Sequence, residues 1–239
     1  NRADKTISVL AIDGKFVKLT QTLAVNDEVA AVAITPDERR ALIVKNSTNK
    51  IGVLTINGGI VSYDANHDMP VGQFPYNIDV SPDGAFAIVA HTGNNGYSDG
   101  HADPLVVIRL DKGPVPFVEN YFTAGDAPEG FAISPKGNIA VALLLGGDSI
   151  LPADHWAHGN TGEIVVFKTN GGNLKIVQKI SITGLPEGVA FSSEGDYVYI
   201  SSFRKKNLRV YEVDEDILVD TEKRIDLPGT PASMRGRAR

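Results

Sequence analysis

Two glutamates and a group of histidines are the residues of this chain best suited to chemistry. Glu129 and Glu187 each stand in a Pro-Glu-Gly triplet, and related segments read Phe74-Pro75-Tyr76-Asn77 and Thr230-Pro231-Ala232-Ser233. Aligned on the proline, Tyr76, Glu129, Glu187 and Ala232 are expected to share one ring around a common axis. Two neighbouring carboxylates with Asn77 nearby offer oxygen ligands to a hard divalent cation such as calcium. With no cation between them, each would raise the other's pKa, and they would serve as an acid–base pair. The plainer alternative is a turn that starts a strand and leaves its glutamate in water.

Four of the five histidines fall in two further segments. His91 to Pro104 carries His91, Asp99 and His101, and Gly146 to Gly162 carries Asp148, Asp154, His155, His158 and the single tryptophan, Trp156. Neutral imidazole and carboxylate bind zinc, copper or iron, so His155 and His158 join Glu129 and Glu187 as candidate metal ligands. The spacing matches no established metal motif. The competing reading is a pair of polar loops that pack on each other around Trp156. Tyr76, Asn77, His91, Asp99, His101, Asp154, His155, Trp156, His158 and Arg204 are the candidate ligand-binding residues. Arg204 belongs to a basic run, Arg204-Lys205-Lys206, and Arg235, Arg237 and Arg239 form a second basic group near the end of the sequence. Both could meet an anion, although a solvated loop and a frayed tail explain them as well.

Composition narrows the classes. The 239 residues are 42% hydrophobic and 22% charged, which suits a globular chain with a sizeable core. A net charge of -6 makes a broad nucleic-acid surface unexpected. No apolar run reaches the roughly 20 residues that span a bilayer. The absence of cysteine removes disulfides, thiolate metal sites and thiol nucleophiles. Asn1 to Lys5 carry no targeting pattern, and there is no phosphate loop, nucleophile elbow or zinc helix.

The element that must position these residues is a repeat. An alternating strand and a Ser/Thr-Pro-Asp-Gly-type turn recur at Ala31 to Glu38, Asn77 to Gly84, Gly130 to Gly137 and Gly188 to Gly195. Proline pre-sets φ at the second turn position and glycine is favoured at the fourth. Apolar third strands follow at Ile51 to Ile56, Leu105 to Leu110, Glu163 to Lys168 and Leu208 to Val213, each leading through a polar turn to a fourth strand. Four antiparallel strands per unit make a propeller blade. The expected fold is therefore all-β: a single β-propeller domain over 1-239, with full blades at 28-72, 74-125, 127-184 and 185-228. A partial blade at 1-25 and an inner strand of a closing blade at 229-235 flank them. Closure as five blades and a five-blade portion of a seven-bladed ring both fit, and the second is preferred. In such a blade the loops between second and third strands share a face with the blade entries, which brings the His-rich loops to the side of the glutamates.

The run Ile43-Val44-Lys45-Asn46-Ser47-Thr48-Asn49-Lys50-Ile51-Gly52-Val53 resembles the Tyr-Val-Thr-Asn repeat of bacterial lactonase-like propellers. The other blades depart from it, reading Ile88-Val89-Ala90-His91, Val141-Ala142-Leu143-Leu144 and Tyr199-Ile200-Ser201-Ser202. The resemblance implies a propeller exported to the periplasm or secreted. It leaves function open between two readings. One is a propeller that binds a small anionic ligand or a protein partner at its channel face. The other is a lactone or ester hydrolase in which Glu129 and Glu187 are catalytic, acting directly or by holding a divalent cation.

Overall fold

The computed structural model describes residues 1–113, 115–147, 151–156, 158–159 and 161–236; Asp148, Arg237 and Arg239 lie outside them. Strands β1 (Thr6–Asp13) and β2 (Phe16–Ala24) pair as a two-stranded sheet. The next sheet contains β3 (Val29–Ile34), β4 (Arg40–Lys45), β5 (Lys50–Asn57) and β6 (Ile60–Tyr63), with the short β7 (Met69–Pro70) also on β5. Three four-stranded sheets follow. They are β8 (Pro75–Val80), β9 (Phe86–His91), β10 (Asp103–Arg109) and β11 (Phe117–Gly125); β12 (Pro128–Ile133), β13 (Ile139–Leu144), β14 (Thr161–Asn170) and β15 (Asn173–Thr183); and β16 (Pro186–Phe191), β17 (Tyr197–Ser202), β18 (Asn207–Asp214) and β19 (Ile217–Asp226). Neighbouring strands run antiparallel, in chain order, and the described residues contain no α-helix.

Successive sheets stack face to face, so a central strand is apolar on both sides. Every residue of β9 and of β13 is buried. Phe86, Ile88 and Val107 of one sheet pack on Phe131, Ala142 and Phe167 of the next, and Val141 and Val166 pack on Ile200 and Tyr211 of the one after. The inner strands β3, β8, β12 and β16 lie side by side, and Gly130 sits so close to the Glu187 carbonyl that a Cβ there would collide with it. Sheets stacked around their first strands make the β-propeller arrangement.

The recurring turn has a physical role in each sheet. Thr35 Oγ1 donates to Asp37 (2.6 Å) and accepts from the Arg40 N–H (3.1 Å). Ser81 Oγ donates to Asp83 (2.5 Å) and accepts from the Phe86 N–H (3.1 Å), and Ser192 Oγ accepts from the Tyr197 N–H (3.0 Å). The hydroxyl thus closes the hairpin from its buried side. The fourth turn position is left-handed in all four copies: glycine at 84, 137 and 195, but Glu38 at φ 56° in the first.

Residues 229–235 are not paired into a sheet of this chain. Met234 lies against β16 at Gly188, and no described strand is hydrogen-bonded to this segment as a sheet partner. Arg235 instead donates to the carbonyls of Val32 (3.0 Å) and Ile78 (2.6 Å) and lies 3.4 Å from Asp79.

Two substitutions test the turn. Ser81→Ala leaves a buried N–H without its acceptor and is expected to cost about 1–3 kcal/mol. Glu38→Gly removes a left-handed strain of about 1 kcal/mol and is expected to stabilise by a similar amount. Urea denaturation of both variants measures the two shifts, which must have opposite signs.

Candidate functional site

The site is made by one irregularity repeated at every blade entry. Along β3 and β4 the pairing steps from Val29–Lys45 to Ala31–Val44, and along β8 and β9 from Pro75–His91 to Asn77–Ala90. It steps from Pro128–Leu144 to Gly130–Leu143 in the third sheet, and from Pro186–Ser202 to Val189–Ile200 in the fourth. The residues skipped are Ala30, Tyr76, Glu129 and, with Gly188, Glu187. A bulge leaves its extra residue unpaired and re-aims it. The residue before each proline, Phe74, Ala127 or Leu185, is held left-handed at φ 48°, 48° and 59°. The sequence thereby places Tyr76, Glu129 and Glu187 at equivalent points of adjacent inner strands.

These three side chains interact. The Tyr76 hydroxyl acts on the Glu129 carboxyl, and Glu187 lies in the field of Glu129. Burial pushes the Glu129 carboxyl up to about 7, with the Tyr76 hydroxyl opposing the rise. Burial also pushes Glu187 up to about 7, and the charge of Glu129 adds to it. Tyr76 is raised as well, by burial and then by Glu129, while Arg2 pulls the other way. Arg2 is itself paired with Glu28 at 3.0 Å. Two coupled carboxyls near 7 hold about one proton between them at neutral pH, which gives one acid and one base. Asn77 does not join them through its side-chain oxygen, which accepts from the Ile78 N–H at 2.8 Å.

Among the described residues no three or more His, Asp and Glu side chains converge as metal ligands. His155 and His158 make contacts within their own loop. His155 stacks with Trp156 at a centroid distance of 5.8 Å, and His158 Nδ1 lies 2.8 Å from the Leu151 carbonyl.

His91, expected as a ligand-binding residue of the first long loop, is placed otherwise. It is the last residue of β9 and the ladder partner of Pro75, so its ring is enclosed in the sheet. Nδ1 lies 3.2 Å from the Pro104 carbonyl and burial lowers the pKa to about 4, which keeps the imidazole neutral. Asp99, His101, Asp154, Trp156 and Arg204 are in the expected loops; Asp99 is half-buried and the other four are exposed.

Sequence reasoning missed Asp126, whose carboxylate accepts from Ser98 Oγ and from the N–H groups of Asp99 (3.2 Å) and Gly100 (3.0 Å). Its only signal was its place just before a blade-entry proline. Also missed was a buried ion pair, Lys45 to Asp68 at 2.6 Å with the Tyr63 hydroxyl on both, which fastens the segment after β6 to the sheet.

No family model and no curated protein matches the sequence. Solved structures match the fold. A proposed 6-phosphogluconolactonase of Bacteroides fragilis superposes with a TM-score of 0.75 at 18% identity, over 96% of this chain and 67% of that one. The periplasmic gluconolactonase of Pseudomonas aeruginosa gives 0.70 at 17% identity, over 95% of this chain and 65% of that one. Hydrazine synthase of Kuenenia stuttgartiensis gives 0.53 at 18% identity, over 95% and 83%. This chain spans about two thirds of the length of the lactonase-like proteins. At these identities the likeness establishes the architecture, a lactonase-like propeller, and the third match shows the same architecture carrying other chemistry.

The raised carboxyl pKa values have a sign that can be measured. A carboxyl titrating near 7 in the folded chain and near its ordinary value of 4.5 in the unfolded one binds its proton more tightly when folded. Its contribution to stability is present below 4.5 and is lost as pH rises through 7. Glu129→Gln is therefore expected to melt at a higher temperature than the unsubstituted protein at pH 8, with the gap closing by pH 4.5. Thermal denaturation at the two pH values checks this.

Proposed function

We propose that this chain forms the reacting part of a hydrolase of sugar-type lactones, with Glu129 as general base and Glu187 as general acid. The observation that carries the reading is the pair of half-buried, coupled carboxyls near 7, set on adjacent inner strands by the same bulge. The Tyr76 hydroxyl favours the ionised form of Glu129, and the charge of Glu129 favours the protonated form of Glu187.

In the reaction, Glu129 takes a proton from water as the water oxygen bonds to the lactone carbonyl carbon. The ring C–O bond then breaks, and its electron pair takes the proton of Glu187. The product is the open hydroxy acid. The pair ends with the single proton it began with, now on Glu129, and exchange with solvent resets it. Burial places both groups near the pH at which each can give and take a proton.

The lactone class is supported by the names of the fold neighbours in Bacteroides and Pseudomonas, and a periplasmic location by the name of the second. We extend the reading to a five-blade portion of a seven-bladed ring, supported by the third of the neighbours' length that this chain does not span. The alternative, a channel face that only captures a small anion or a protein partner, has less support, because a shared negative charge at the mouth repels anions.

Glu129→Gln and Glu187→Gln are each expected to lower turnover of D-glucono-δ-lactone by at least about a hundredfold. Unchanged turnover in both variants would remove the mechanism.

A further inference from the structure

The two long loops are fastened to the site. Asp126 holds the first at Ser98, Asp99 and Gly100, and Ser98 Oγ accepts from the N–H of Gly147 in the second at 2.7 Å. Trp156 is seated on this base. Its ring meets His101 edge-on at 5.6 Å and His155 nearly parallel at 5.8 Å, and a Cβ on Gly100 would collide with the indole. Trp156 nonetheless remains 66% exposed. An apolar anchor would be covered by the loops it holds; this one is presented to solvent on a fixed base.

The surroundings select what could lie on it. Neither Lys nor Arg occurs between His91 and Ile108 or between Gly137 and Phe167. Burial, followed by the charges of Asp99 and Asp126, raises the pKa of Asp103. An anion is therefore repelled from these loops. The His101 imidazole, with Nδ1 3.4 Å from Asp99 Oδ1, offers polar groups beside the indole. A flat aromatic face edged by such groups suits a ligand with an apolar C–H face and a rim of hydroxyls.

We propose that Trp156, His101 and Asp99 form a binding platform for a neutral sugar ring. Asp126, which anchors the platform, precedes Glu129 by three residues, at most about 11 Å of chain. The platform is thus placed to hold the far ring of a disaccharide-sized lactone whose near ring reaches the glutamates. The platform itself is argued from the loops alone; the identity of its ligand as part of the substrate rests on the hydrolase reading.

Because Trp156 is the single tryptophan, its emission reports the platform directly. Cellobiose, sodium gluconate and choline chloride are titrated separately into the unsubstituted protein, and D-glucono-δ-lactone turnover is assayed in parallel. The expected result is a saturable emission change with cellobiose that neither salt reproduces. His101→Ala, at an exposed position, is expected to weaken it about fivefold to tenfold. No saturable response to cellobiose, or a stronger one to choline, overturns the platform whatever the turnover assay gives. A cellobiose response without lactone turnover leaves the platform standing and removes the hydrolase reading together with the far-ring assignment.

Discussion

The close approach of the inner strands at the axis is the constraint on which the site depends. Gly130 lies against the Glu187 carbonyl of the next strand, and Gly188 against the backbone of Met234. A side chain at either glycine would push the strands apart. With that spacing fixed, one extra residue at each entry has no room in the ladder and turns out of it. The functional groups are therefore the residues the sheet cannot pair. Their identity differs from blade to blade, Ala30, Tyr76, Glu129 and Glu187, while the backbone device stays the same.

Electrostatics then follow from position. Burial dominates the pKa of both glutamates, and Tyr76 and the charge of Glu129 divide the roles. A salt bridge would have fixed both as permanent anions. The contrast with Lys45 and Asp68 is instructive, because there a buried carboxylate is paired at 2.6 Å and serves to hold the chain. The same scaffold thus carries a paired charge where it needs rigidity and coupled, unpaired carboxyls where protons must move.

The architecture was legible because it is periodic. The Ser/Thr hydroxyl at 35, 81, 134 and 192 marks each hairpin, and a four-fold repetition makes the marking robust to exceptions such as Glu38. The ring of Tyr76, Glu129 and Glu187 was legible for the same reason, by alignment on the proline. What was not legible is what burial does. His91 reads as a loop histidine in the sequence, yet its pairing with Pro75 draws it into the sheet. Asp126 reads as one acidic residue among 29 acidic side chains, and only the fold of a distant loop around it shows its use.

The account stands on the protonation of the glutamate pair at neutral pH. Following the side-chain carboxyl 13C shifts of Glu129 and Glu187 by NMR from pH 3 to pH 9 tests it most directly. The account predicts coupled titrations centred near 7, with Glu129 losing its proton first. Two independent titrations at the ordinary glutamate value of 4.5 would contradict it, since the pair would then be two solvated anions with no proton to share.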